Sequence, residues 1–179
     1  WFRSFVIDKG KKDGIKVDMN VMAEGGLVGI VTEVGTNWAR VRSIIDDASN
    51  VSALVLATSD TCIVNGDLTL MQEGKIRFEQ LPNNDTEIKS GEPVVTSHIS
   101  NKYLQGILIG YINEVHEDAN NLTRSGYMIP AVDFQHLQEV LDNVPVIRVM
   151  PNTPLQINQG STAMCRSENC RADEYDCVF

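Results

Sequence analysis

The run Gly26-Leu27-Val28-Gly29-Ile30-Val31-Thr32-Glu33-Val34-Gly35 returns in altered form as Gly106-Ile107-Leu108-Ile109-Gly110-Tyr111-Ile112-Asn113-Glu114-Val115. In each copy glycines bracket a short stretch of Val, Ile and Leu. Such a composition suits a pleated, half-buried surface, and the glycines suit points where a strand bends or passes close to another backbone. A helix would need apolar residues at i, i+3, i+4 and i+7 with a polar face between them, and neither run has that period. Each copy also follows a polar segment of similar plan, Lys12 to Val21 and Glu87 to Val95. The chain therefore reads as two related β units.

The remaining stretches agree. Phe5-Val6-Ile7-Asp8 is a strand ending in the turn Lys9-Gly10-Lys11-Lys12-Asp13-Gly14, whose basic cluster reads as a solvated connection. Ala39 to Ile45 alternates with period two, which places Arg40 and Arg42 on one wet face. Asp46-Asp47-Ala48-Ser49-Asn50 lacks the alternating oxygen ligands of a calcium loop and reads as an Asx-type turn. Val51 to Ala57 alternates again, and Asn65-Gly66 signals a hairpin with Leu68 to Met71 pairing back across it. Ile76 to Leu81 continues the meander until Pro82-Asn83-Asn84-Asp85 breaks it.

Short strands with turns every eight to twelve residues indicate an all-β fold. The expected architecture is two small β-barrel-like domains related by a weak internal repeat, with an irregular or fragmentary C-terminal tail. One unit is expected from residues 1–20 with 97–142, the other from 21–96, and the tail from 143–179.

Charge narrows the function classes. The net charge is −9 and the isoelectric point about 4.7, without the Lys and Arg clusters that hold a phosphate backbone, which argues against nucleic acid. No run of about 18 apolar residues is present to span a bilayer as a helix. The abrupt start at Trp1-Phe2-Arg3 suggests a region upstream.

No catalytic constellation emerges. His98, His116 and His136 have no partners at ligand or catalytic spacing, and Ser97 and His98 are neighbours that a strand points to opposite faces. Cys165, Cys170 and Cys177 fit no Cys-x-x-Cys pattern, and Cys62 lies far from them. No cofactor and no metal are expected. Contact with partners would use strand edges and apolar loop residues, with Gly26, Gly29, Tyr103, Leu104, Gly106 and Gly110 as the candidates.

Four segments in order resemble the MreC family of bacterial cell-shape proteins. They are Phe5 to Ile15, Gly26 to Gly35, Ser90 to Ser97, and the run Ile129-Pro130-Ala131-Val132-Asp133-Phe134-Gln135-His136-Leu137-Gln138-Glu139-Val140-Leu141. Residues 98–104 depart from the glycine-rich pattern of that family. The resemblance implies a non-catalytic scaffold of the cell-elongation machinery in peptidoglycan biosynthesis. It also implies self-association as a homo-oligomer and binding to class B penicillin-binding proteins and membrane proteins such as MreD. The region would be extracytoplasmic, tied to the cell membrane by a helix and coiled coil upstream of Trp1.

Beyond Leu141 the segment Val146 to Pro154, followed by Gly160 to Cys165, is similar to pyrroline-5-carboxylate reductase. A fragment of that NADP-dependent enzyme is one alternative, although no Gly-x-Gly-x-x-Gly fingerprint is present to seat a dinucleotide. A β-barrel module of a membrane transport adaptor is the other.

Overall fold

Period-two alternation translates directly into buried and exposed faces. In a computed structural model, which describes residues 3–84, 86–119, 121–134, 147–151 and 162–166, Val51, Ala53 and Val55 turn inward while Ser52 and Leu54 stay half-buried. Cys62 and Val64 repeat the pattern on the next strand, and on the one after it Ile76, Phe78 and Leu81 turn inward, the alternation broken at Gln80, which takes φ +60°.

The chain divides into two compact units, Trp1–Val132 and Asp133–Phe179. Among the described residues the first holds ten strands: β1 (Ser4–Ile7), β2 (Asn20–Ala23), β3 (Gly26–Val34), β4 (Ala39–Ser43), β5 (Asn50–Val55), β6 (Thr61–Asn65), β7 (Ile76–Pro82), β8 (Pro93–Thr96), β9 (Leu108–Glu117) and β10 (Thr123–Pro130). Strands β5 to β10 close on themselves in the order β5-β6-β7-β10-β9-β8, every pair antiparallel, and β8 returns to β5. Closure leaves this six-stranded barrel without a free edge. Phe78, Ile76, Leu81, Ile109, Ile112 and Met128 are almost fully buried and belong to its packed core.

Strands β1, β4, β3 and β2 form a smaller antiparallel array joined to the barrel where Gly26 of β3 meets Leu108 of β9 in parallel. Its own core is Val31, Ala39 and Val41, with Phe5, Ile7, Ile15, Val21 and Val34 packed against them. Strand pairing therefore groups residues 4–43 apart from 50–130, which differs from the expected grouping of 1–20 with 97–142 against 21–96. Sequence similarity between two strands records their local chemistry; it does not say which strands they pair with.

Leu68–Met71 is not a strand. Asp67 Oδ1 accepts the N–H groups of Thr69 at 2.8 Å and Leu70 at 3.0 Å, capping a single helical turn, α1, over those residues. It is β7 that pairs back on β6. The expected Asx turn is present, with Ala48 N–H donating to Asp46 Oδ1 at 2.9 Å.

In the second unit Ile147–Pro151 (β11) and Thr162–Arg166 (β12) pair antiparallel, so the segment expected to be irregular contains one strand pair. Residues 152–161 of the reductase-like stretch, with Asn152 and Thr153, lie outside the described residues, as do Cys170 and Cys177.

Candidate interaction surface

The loop 97–107 between β8 and β9 is anchored at both ends. Ser97 is buried, its hydroxyl 2.8 Å from that of Ser52 and its N–H donating to Ser52 carbonyl at 2.9 Å. At the other end Thr96 Oγ1 donates to the Leu104 carbonyl at 2.5 Å and accepts the Ile107 N–H at 2.8 Å.

The middle of the loop is held from another strand. Asn20 of β2 donates from Nδ2 to the Lys102 carbonyl at 3.0 Å and accepts the Leu104 N–H at Oδ1 at 2.7 Å. Tyr103, between those two positions, is buried with its phenol hydrogen-bonded to Ser49; burial pushes its pKa up against that bond and the charge of Arg42. The result is a fixed loop that presents Leu104, 70% exposed, and Ile99, 61% exposed. Met22 lies two residues from Asn20 on β2 and is also exposed, so it shares the face that meets the loop.

The six candidate contact residues fall into two groups. Leu104 and Gly106 are exposed, and Gly106 takes φ +85°, a conformation that favours glycine. Gly26, Gly29 and Gly110 are buried, and Tyr103 is buried. A Cβ at Gly29 would fall on the Arg42 carbonyl, and one at Gly110 on the Ile129 carbonyl. Each glycine follows a register shift, opposite β2 for Gly29 and opposite β8 for Gly110. They shape the strands that carry the surface; they do not form it. Asn20, which organises the loop, carries no signal in the sequence because it falls inside a polar stretch with no motif.

Among the described residues no group of three His, Cys, Asp or Glu side chains could hold a metal ion. His98 is exposed, and His116 lies 3.5 Å from Glu114 with its ring edge-on to Tyr127. Cys62 is buried in the barrel, which pushes its thiol up to about 12.

The model of the family "Rod shape-determining protein MreC, barrel core" matches residues 1–141. The cell shape-determining protein MreC of Listeria monocytogenes is 36% identical over 146 residues, covering 78% of this chain and 48% of that protein. MreC of Haemophilus influenzae is 25% identical over 159 residues, covering 87% of this chain and 44% of that one. The chain thus spans about half the length of these relatives. The solved structure of Listeria MreC superposes with a TM-score of 0.67 at 36% identity, over 74% of this chain and 63% of that one.

Proposed function

This chain belongs to the MreC family of rod shape-determining proteins, and from that premise we propose that it is the extracytoplasmic β portion of a non-catalytic scaffold in the cell-elongation machinery. The scaffold self-associates and holds peptidoglycan-synthesis enzymes, class B penicillin-binding proteins above all, and neighbours such as MreD. A membrane helix upstream ties it to the cell membrane.

The single observation that supports a binding role is the loop 97–107. Its backbone is pinned by Asn20, Thr96 and Ser97, yet its apolar side chains Leu104 and Ile99 face solvent. An exposed apolar side chain on a fixed loop loses little conformational entropy when a partner covers it. Leu104 and the backbone at Gly106 are the contact; Tyr103 is the buried strut beneath, and Gly26, Gly29 and Gly110 set the strand curvature around it.

The test is binding of a purified class B penicillin-binding protein to the wild-type chain and to Leu104→Glu, read by interferometry. The reading expects a loss of about tenfold or more in affinity for the variant, with an unchanged melting temperature. Equal affinity would remove the loop from the interface, and no binding by either protein would remove this partner class.

A further inference from the structure

Charge is unevenly spread along the first unit. Residues 1–45 carry seven Lys and Arg against five Asp and Glu, whereas residues 50–130 carry five against ten. The positive excess gathers at the turn after β1. There Lys11, Lys12 and Lys16 are exposed, and among the described residues none has a carboxylate within ion-pair distance; only Lys9 reaches one, Asp13 at 3.9 Å.

Two of these lysines rim a depression. Lys11, Gly14, Ile15, Lys16, Val17 and Val34 line an open groove of about 460 Å³, and Val17 on it is 51% exposed. Its backbone is set: Lys11 N–H donates to the Gly35 carbonyl at 3.0 Å and Ile15 N–H to the Gly10 carbonyl at 3.1 Å. The groove combines an apolar floor with a cationic rim.

The barrel carries the converse shape. Between β9 and β10 the chain turns through Asp118 to Thr123, closed by Asp118 N–H on the Thr123 carbonyl at 3.0 Å and Asn121 N–H on the Asp118 carbonyl at 2.9 Å. At this tip Leu122 is 74% exposed, and Glu117, also exposed, and Asp118 precede it in the same hairpin. Hydrogen bonds from Ser125 and Thr123 hold the Asp118 carboxyl below its ordinary range, so it is an anion at neutral pH.

We propose that the lysine-rimmed groove receives the β9–β10 hairpin tip of a second copy of this chain, with Leu122 on the Ile15, Val17 and Val34 floor and Glu117 and Asp118 against Lys11 and Lys16. This rests on the self-association reading and specifies its contact. Groove and tip are different surfaces of one molecule, so the contact is heterologous: each copy keeps a free groove and a free tip, and repetition gives a ring or a filament. Complementary charge sets the orientation and makes assembly salt-sensitive.

Sedimentation velocity of the chain across concentration and salt tests it, using a groove variant (Lys11→Glu with Lys16→Glu) and a tip variant (Leu122→Glu). Each variant alone is expected to associate about tenfold or more weakly than wild type while keeping its melting temperature. Mixed together they are expected to form a dimer and nothing larger, because the tip variant's intact groove meets the groove variant's intact tip. Wild-type assembly should also weaken between about 50 mM and 300 mM salt, a readout that needs no variant.

A wild-type chain that stays monomeric throughout would overturn self-association itself. Wild-type assembly that both variants retain, or a mixture that forms no dimer, would leave self-association standing and overturn the groove-and-tip contact. Loss of binding to phosphatidylglycerol vesicles in the groove variant, with assembly unchanged, would assign the lysines to a lipid surface and overturn the proposal as well.

Discussion

Asn20 and Leu104 are joined across 84 residues of sequence: the side-chain oxygen of Asn20 accepts the backbone N–H of Leu104 at 2.7 Å. The same side chain donates to the Lys102 carbonyl at 3.0 Å, so one amide satisfies both sides of the loop that carries the candidate contact. Replacing it with Ala removes two bonds at a solvent-exposed site, worth about 1–2 kcal/mol together. Asn20→Ala should therefore speed amide exchange at Leu104 markedly while leaving the barrel strands protected. Unchanged protection at Leu104 would mean that Tyr103 and Thr96 hold the loop unaided.

Gly29 and Gly110 give a second expectation. At either position an added methyl group meets a backbone carbonyl of the neighbouring strand, Arg42 or Ile129, and backbone yields less readily than a side-chain tip. Overpacking of this kind costs about 1–3 kcal/mol. Gly29→Ala and Gly110→Ala should each lower the melting temperature by roughly 2–4 °C per kcal/mol lost. Gly14→Ala, in contrast, meets nothing within 4 Å but sits at φ +84°, so its cost is conformational strain with no collision.

Much of the β architecture was legible because its cause is local. Alternation along Val51 to Val55 fixes which side chains turn inward, and that segment is a strand with Val51, Ala53 and Val55 buried; Ile76 to Leu81 is also a strand, but Gln80 at φ +60° breaks its alternation so that Ile76, Phe78 and Leu81 are the buried residues. Pairing was less legible. The two glycine-bracketed runs look like copies, yet one lies in the small array and the other in the barrel, touching at Gly26 and Leu108. At Asp67 a local signal was present but outweighed by the Asn65-Gly66 turn: an aspartate ahead of Leu-Thr-Leu-Met caps a helical turn. Of the candidate contact residues, Leu104 is exposed, but composition could not reveal that Tyr103, one position earlier, is buried against Ser49.

Cys62 links stability to alkaline pH. Its thiol, 3% exposed, titrates near 12 in the folded chain against an ordinary value of 9.0, because burial disfavours the thiolate. The unfolded chain releases this proton first as pH rises. The thiol's contribution is therefore complete below pH 9.0 and is lost progressively as pH climbs from there towards 12. Unfolding free energies from urea titrations between pH 8 and pH 10 should fall in wild type, by up to about 1.4 kcal/mol per pH unit. In Cys62→Ala they should fall less steeply, although that variant starts lower at neutral pH. Parallel slopes would show that the thiol titrates normally in the folded chain.

Arg124 gives the last expectation. Only 8% exposed, its guanidinium donates from Nε and Nη2 to the Pro82 carbonyl at 3.2 and 2.8 Å, and from Nη1 to the Thr86 carbonyl at 2.8 Å. The fork thus ties β10 to the chain leaving β7. Arg124→Met keeps the apolar stem but removes these charged hydrogen bonds from a buried site, at a cost of about 2–4 kcal/mol. Arg124→Lys keeps the charge yet offers a point donor in place of a planar fork, so it should recover less than half of that loss. Thermal melts of the three proteins decide it. A lysine variant as stable as wild type would mean that charge alone, and not the geometry of the fork, holds the 82–86 segment to the barrel.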